Sequence, residues 1–277
     1  NFDVRRYGEE ARNAFFFRMH GQYLHFLVTN LEKFFAARSL LADTTSQHLF
    51  DQLILFRLLG HMHVRLPTNT PDAAQRLRVP ETWKVDDTSD SGMFGPLSIY
   101  SVPYAGVNVW VKGWSGNVAA TFLSGQYRLE RPNISIGPHP GDHIIDGGGC
   151  FGDTALAFAV DVGQRGMVYT FDPMPKHCQI ISEVCMMNSA LAPRIRIFET
   201  GLAGSDHVPA VDGGTDMLIN PGARLNDSLP TRSIDSLVAN GEVDRIDFIK
   251  MDIEGSELAA LQGAEKSLRR WRPRLAI

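Results

Sequence analysis

The chain has 277 residues, 44% of them hydrophobic and 21% charged, with a formal net charge of −4. That length suffices for one large domain or two modest ones, and a balance this close to neutral makes no general case for nucleic acid or an acidic membrane as partner. No apolar run is long enough to span a bilayer, and the best candidates, Ala11–Phe17 and Leu53–Leu59, are short and interrupted.

The first third has helical spacing. Phe15, Phe16, Met19, Tyr23, Phe26, Leu27, Leu31 and Phe34 recur on one face, and Leu49, Leu53, Ile54, Phe56, Leu58 and Leu59 form a second pattern. Asp43, Thr44 and Thr45 offer caps before that second helix, and Gly60 ends it. Between Val64 and Ser91 the composition turns polar, with Pro67, Pro71 and Pro80, which predicts a connecting segment. From Leu97 the period becomes two, and Ser98–Val102 and Val107–Val111 predict short strands around Pro103-Tyr104-Ala105-Gly106.

After Gly125, β-branched hydrophobic runs alternate with helical stretches. Ile144–Ile145 precedes a glycine loop and a helix over Thr154–Val162. Met167–Phe171 precedes a helix over Cys178–Met187, and Ile195–Phe198 follows. Ile246–Met251 precedes a helix over Glu257–Leu268, and Arg274–Ile277 opens another strand. This alternation predicts an α/β fold, a Rossmann-like parallel sheet with helices on both faces. The expected division is an N-terminal helical region and linker over 1–96, and a domain with a small β element at its start over 97–277.

Three segments carry candidate chemistry. In Asp146-Gly147-Gly148-Gly149-Cys150-Phe151-Gly152 a strand ends in a carboxylate, glycines turn, and a helix leaves. A dinucleotide site favours G-x-G-x-x-G and a pyrophosphate at the helix N-terminus. Here the spacing is D-x-G-x-x-x-G, and a carboxylate there suits an amine-bearing or cationic ligand. A tight turn with no ligand explains the loop alone equally well. Asp172 ends the next strand at the offset of a ribose-binding carboxylate, or caps the following helix. Asp252 and Glu254 stand at the end of a third buried strand. There they would orient a cofactor, take a proton or hold a divalent metal, or else favour the N-terminus of the next helix.

These segments, DGGGCFGDT, FDPMP and IDFIKMDIEGSEL, resemble the FkbM family of S-adenosylmethionine-dependent methyltransferases, and Thr231–Leu237 resembles the segment that precedes the family's last motif. The resemblance runs from about Tyr127 to Ile277. It implies a class I methyltransferase sheet and S-adenosyl-L-methionine as cofactor. Asp146, Gly148 and Gly152 would hold the methionine end, Asp172 the ribose, and Leu202 and Ala203 would lie near the adenine. Gly147, Gly149, Thr154 and Pro173 complete the expected cofactor-binding set, and Asp252 would face the reaction centre. Asp252 and then Glu254 are the candidates for base; no metal ligand is assigned. Two departures are Asp172, where Glu is usual, and Gly149-Cys150, where Ala-Asn is common. The acceptor implied is a hydroxyl on a sugar, polyketide or glycolipid. An NAD-type oxidoreductase and a non-catalytic binding protein that kept the fold are the alternatives.

Cys150, Cys178 and Cys185 form no disulfide pattern, which fits reduced thiols in a cytoplasmic protein. The chain begins at Asn1 and ends in a strand pattern, as expected for a piece of a longer protein. His61 and His63 form a His-x-His pair expected to be solvated or capping; His143 is expected to be structural and His139 at most a weak cap on the pocket. Phe15-Phe16-Phe17 is expected to pack in the core, with a membrane-facing or homo-oligomer face as the alternative. Trp110, Trp114 and Tyr127 are expected either to line an acceptor pocket or to pack in the core.

Overall fold

A computed structural model describes residues 21, 23–60, 63–66, 75–76, 78–92, 95–132, 134–207 and 230–277. The Phe15-Phe16-Phe17 run and His61 lie outside them. Two compact units result, Asn1–Arg76 and Leu77–Ile277. The boundary expected between 96 and 97 falls within a strand of the second unit.

In the first unit, residues 23–29 are helical and lead into α1 (Leu31–Ser39) and α2 (Thr44–Leu59). Asp43 caps α2 as its sequence suggests, accepting a hydrogen bond from Ser46 N at 2.8 Å, and Gly60 ends the helix at φ 79°. Arg38 grips Asp51 with two nitrogens at 2.8 and 2.9 Å and so joins the helices. No described helix is long and apolar enough to cross a membrane.

The second unit opens with β1 (Lys84–Gly92), β2 (Gly95–Tyr104) and β3 (Val107–Gly113), an antiparallel sheet in that order. β1 corrects the expectation of a plain connecting segment. Its sequence, KVDDTSDSG, lacks an alternating apolar face, so the period-two signal that marks β2 and β3 is missing. β2 and β3 meet through Ala105-Gly106, with φ of 47° and 84°, the positive values a two-residue hairpin turn favours. α3 (Ser115–Val118) continues into a π-helical turn over Ala119–Leu123, and β4 (Leu129–Arg131) pairs with β5 (Ile134–Ile136).

The main sheet contains β6 (His143–Gly147), β7 (Met167–Asp172), β8 (Ile195–Glu199), β11 (Phe248–Met251) and β12 (Arg274–Ala276). Its order is β12-β11-β6-β7-β8, and every pairing is parallel. Strand alternation divides the side chains between two cores. Ile144, Val168 and Phe248 pack with α4 (Asp153–Val162), α5 (Pro175–Met187) and the β2–β3 hairpin. Ile145, Tyr169 and Ile249 face the other way, toward α6 (Ile234–Ala239), α7 (Glu257–Gln262) and α8 (Glu265–Trp271). Helices therefore cover both faces, as the alternation predicts. A two-stranded parallel pair, β9 (Gly201–Leu202) with β10 (Thr231–Arg232), lies outside the main sheet.

The helix expected over Glu257–Leu268 is broken at Gly263-Ala264. A Cβ on Gly263 would collide with the Ala203 carbonyl oxygen, and the Asp235 carboxylate starts α8 afresh by accepting from Lys266 N and Ser267 N at 2.9 and 2.8 Å. The chain moves outward from β6 through β7 to β8, then crosses back to β11 on the other side of β6. The switch point of the sheet is thus between β6 and β11, where open α/β folds place ligands at the carboxyl ends of the strands.

Candidate active site

A polar row crosses the sheet one step below that edge. Asp146 on β6 is the register partner of Lys250 on β11 and of Thr170 on β7. Period-two geometry points all three side chains to the α4–α5 face. Asp146 is completely buried and Lys250 is 2% exposed. Lys250 Nζ lies 3.3 Å from Asp146 Oδ1 and donates to the carbonyls of Gly147 and Gly148 at 2.9 and 2.8 Å. Thr170 Oγ1 donates to Asp146 Oδ2 at 3.0 Å, and Thr154 Oγ1 lies 3.1 Å from both oxygens. Asp146 therefore does not open onto the sheet edge. Its acceptors are taken by groups that fix the loop.

The loop's donors are also committed. Gly148 N and Gly149 N both donate to the Phe171 carbonyl, at 2.9 and 3.0 Å, and Gly152 N donates to Gly149 O at 2.8 Å. Cys150 N donates to Asp172 Oδ2 at 2.9 Å. Asp172 is 5% exposed; its Oδ1 accepts from Met174 N at 3.0 Å and lies 3.0 Å from His177 Nδ1. Asp172 thus ties the glycine loop to the start of α5, with one acceptor direction left on Oδ2. Pro173 lies beside Gly201.

The glycines serve close packing. A Cβ on Gly148, whose φ is 78°, would collide with the Asp252 carbonyl oxygen, and one on Gly149 would collide with Thr170 Oγ1. Gly147 faces Leu202 and Ile253, while Gly152 lies against Val184 and Ile181 of α5. Leu202 is buried over the loop and Ala203 is half-buried beside it. Cys150 adopts φ 48° inside the turn. Burial pushes its thiol up, and the charges of Asp153 and Asp172 add to that, which fits a packed side chain rather than a nucleophile.

Asp252 and Glu254 are the exposed carboxylates of the set. Asp252 Oδ2 accepts from the Tyr127 hydroxyl at 2.7 Å. Glu254 holds φ 56°, and Glu257 braces that bend by accepting from Ile253 N and Gly255 N, each at 2.9 Å. Partial burial, then the charges of Asp252 and Glu257, push the Glu254 carboxyl up. Among the described residues, no group of three His, Cys, Asp or Glu side chains is arranged to hold a metal ion.

The sequence missed several participants. Lys250 is the cation of the buried row. Thr121, in the π-helical turn, donates to Asp153 Oδ2 at 2.6 Å beside the loop, and burial pushes the Asp153 carboxyl up. Phe151 meets His177 edge-on with centroids 5.4 Å apart. The Phe-x-Lys spacing on β11 was the available signal for Lys250, since alternate residues on a strand share a face and Phe248 is buried on that side. His143, by contrast, starts β6 at the far end and contacts Tyr169, as expected of a structural residue. Trp114 packs against Phe151 and donates to Gly95 O at 3.1 Å.

Two variants test this geometry. Lys250→Met leaves Asp146 buried without its cation and is expected to cost about 3–5 kcal/mol in denaturant unfolding; a loss below about 1 kcal/mol contradicts the buried pair. Glu254→Gln is expected to stabilise the protein at pH 7. A raised folded-state pKa makes the charged form unfavourable above it, so the gain over wild type disappears as pH falls below the ordinary value of 4.5. Unfolding curves at pH 7 and pH 4 measure the difference, and a destabilised variant at pH 7 contradicts the assigned environment.

Residues 146–277 match the family described as the methyltransferase FkbM domain. The chain is similar to the solved structure of methyltransferase FkbM from Methylobacillus flagellatus KT, with a TM-score of 0.50 and 21% identity over 90% of this chain and 48% of that one. It thus spans about half the length of that protein. Weaker likenesses include a SAM-dependent O-methyltransferase from Thermotoga maritima, with a TM-score of 0.30 and 14% identity over 62% of this chain and 53% of that one. Another is Aeropyrum pernix fibrillarin in complex with S-adenosyl-L-methionine, with a TM-score of 0.30 and 13% identity over 67% and 72%. No curated protein matches the chain. From Asp146 near the end of β6 to the last strand of the sheet, residues 146–277 are similar to the methyltransferase FkbM domain.

Proposed function

We propose that this chain binds S-adenosylmethionine across the β6–β11 switch point and methylates a hydroxyl group, the acceptor being a sugar, polyketide or glycolipid. The observation that carries the reading is the polarity of the loop. The backbone N–H groups of Gly148, Gly149, Cys150 and Gly152 are all bonded within the protein, so the glycine turn has none of these four to offer a pyrophosphate. The groups left open beside the loop are carboxylates, those of Asp252 and Glu254. Such a site suits a ligand carrying an ammonium and a sulfonium better than a dinucleotide.

When bound, S-adenosylmethionine supplies an electrophilic methyl, so that a new O–C bond forms as the S–C bond breaks and its electron pair stays on sulfur. The protein then has mainly to align the acceptor and remove its proton. Asp252 is the first candidate to take that proton, because it is exposed, sits at the switch point and has only one oxygen bonded to Tyr127. Glu254 is the second, its raised carboxyl range suiting a group that gains a proton. Asp172 would use its remaining acceptor direction on a ribose hydroxyl. Leu202 and Ala203 would border the adenine. Asp146 and Thr154 would act indirectly, by holding the loop.

Calorimetric titration with S-adenosylmethionine and with NAD tests the proposal. Binding of the former alone is expected, with Asp252→Asn weakening it. Binding of NAD with no response to S-adenosylmethionine overturns the reading.

A further inference from the structure

Tyr127 lies outside the segment that matches the family domain, on the turn that follows the π-helical residues, yet it reaches the centre of the site. Its hydroxyl donates to Asp252 Oδ2 at 2.7 Å, and its ring sits 5.0 Å from Lys250 Nζ. One side chain therefore touches both the exposed carboxylate of the edge and the buried cation that holds the glycine loop. We propose that Tyr127 is a positioning residue that orients Asp252 toward the cofactor's sulfonium, so that discrimination between the charged cofactor and its neutral product depends on an element outside the family domain.

The turn that carries Tyr127 is itself clamped. Gly125 takes φ 57° and accepts from Arg128 N at 2.9 Å. Arg128 pairs with Asp161 on α4 and donates to the Tyr104 hydroxyl at 3.0 Å, and Tyr104 in turn donates to Asp161 at 3.1 Å. Upstream, Thr121 fastens the same segment to Asp153 at the start of α4. Two anchors thus bracket Tyr127. With its hydroxyl spent on Asp252 Oδ2, the other carboxylate oxygen keeps a defined direction. A fixed negative oxygen beside a sulfonium favours the cation over the uncharged thioether, because Coulomb attraction acts only on the former. The Tyr127 ring meanwhile covers Lys250, and so separates that ammonium from the ligand side by an aromatic face.

This inference rests on the methyltransferase reading, and it predicts a ratio rather than a rate, so no acceptor is needed. Binding of S-adenosylmethionine and of S-adenosylhomocysteine is measured by calorimetry for the wild type, Tyr127→Phe and Tyr127→Leu, with thermal melting alongside. The wild type is expected to prefer the sulfonium. Tyr127→Phe keeps the ring over Lys250 and loses only the hydroxyl; its preference is expected to fall at least threefold, with affinity for S-adenosylhomocysteine within twofold and an unchanged melting temperature. Tyr127→Leu also uncovers Lys250 and is expected to weaken both ligands. A Tyr127→Phe variant with the wild-type ratio overturns the inference and leaves the methyltransferase reading standing. Failure of the wild type to bind either ligand overturns that reading and the inference with it.

Discussion

The ion pair between Lys250 and Asp146 is the interaction on which the rest of the site depends. Both groups lie in the sheet interior, and two charges there are costly to desolvate unless their remaining hydrogen bonds are met. Here they are met. Lys250 gives its other donors to Gly147 O and Gly148 O, and Asp146 takes Thr170 and Thr154. The pair therefore settles the path of the glycine loop. Once that path is set, Gly148 packs directly on the Asp252 carbonyl, and only a residue without Cβ fits. The turn that leaves β11, with Asp252 and Glu254 on it, is consequently held against the loop.

Carboxylates in this site divide by burial. Asp146, Asp153 and Asp172 lie inside and are engaged by threonines, a lysine, backbone N–H groups and a histidine. Asp252 and Glu254 lie outside. The buried ones hold the loops in place, and the proposed function assigns the exposed ones to the ligand. Asp172 illustrates the economy of a short side chain. At the end of β7 it reaches back to Cys150 N and forward to Met174 N, bridging two loops that a ligand would otherwise have to order.

Much of this fold was legible in the sequence because strand and helix periods differ. Ile144–Ile145, Met167–Phe171 and Ile195–Phe198 are short β-branched runs followed by turns, and each became a strand of the main sheet. β1 was not legible, since its polar residues leave no alternating face. Neither was the break at Gly263, where the backbone packs on Ala203, 60 residues earlier in the chain, and Asp235 caps the next helix. Positions of the acidic strand ends were readable, but not which of their oxygens would be consumed. The sequence places Asp146 at a strand end; only the register with Lys250 and Thr170 turns it inward. Tyr127 was one of several aromatic candidates, and its partner stands 125 residues away.

The central claim is that Asp146 organises the loop from within while Asp252 faces the ligand. A crystal structure with S-adenosylhomocysteine bound tests it most directly. The account predicts the ligand over Gly147–Cys150, within contact of Asp252, with Asp146 still paired to Lys250 and untouched by the ligand. An amino group bonded to the Asp146 carboxylate, or a ligand seated away from the β6–β11 switch point, would contradict it.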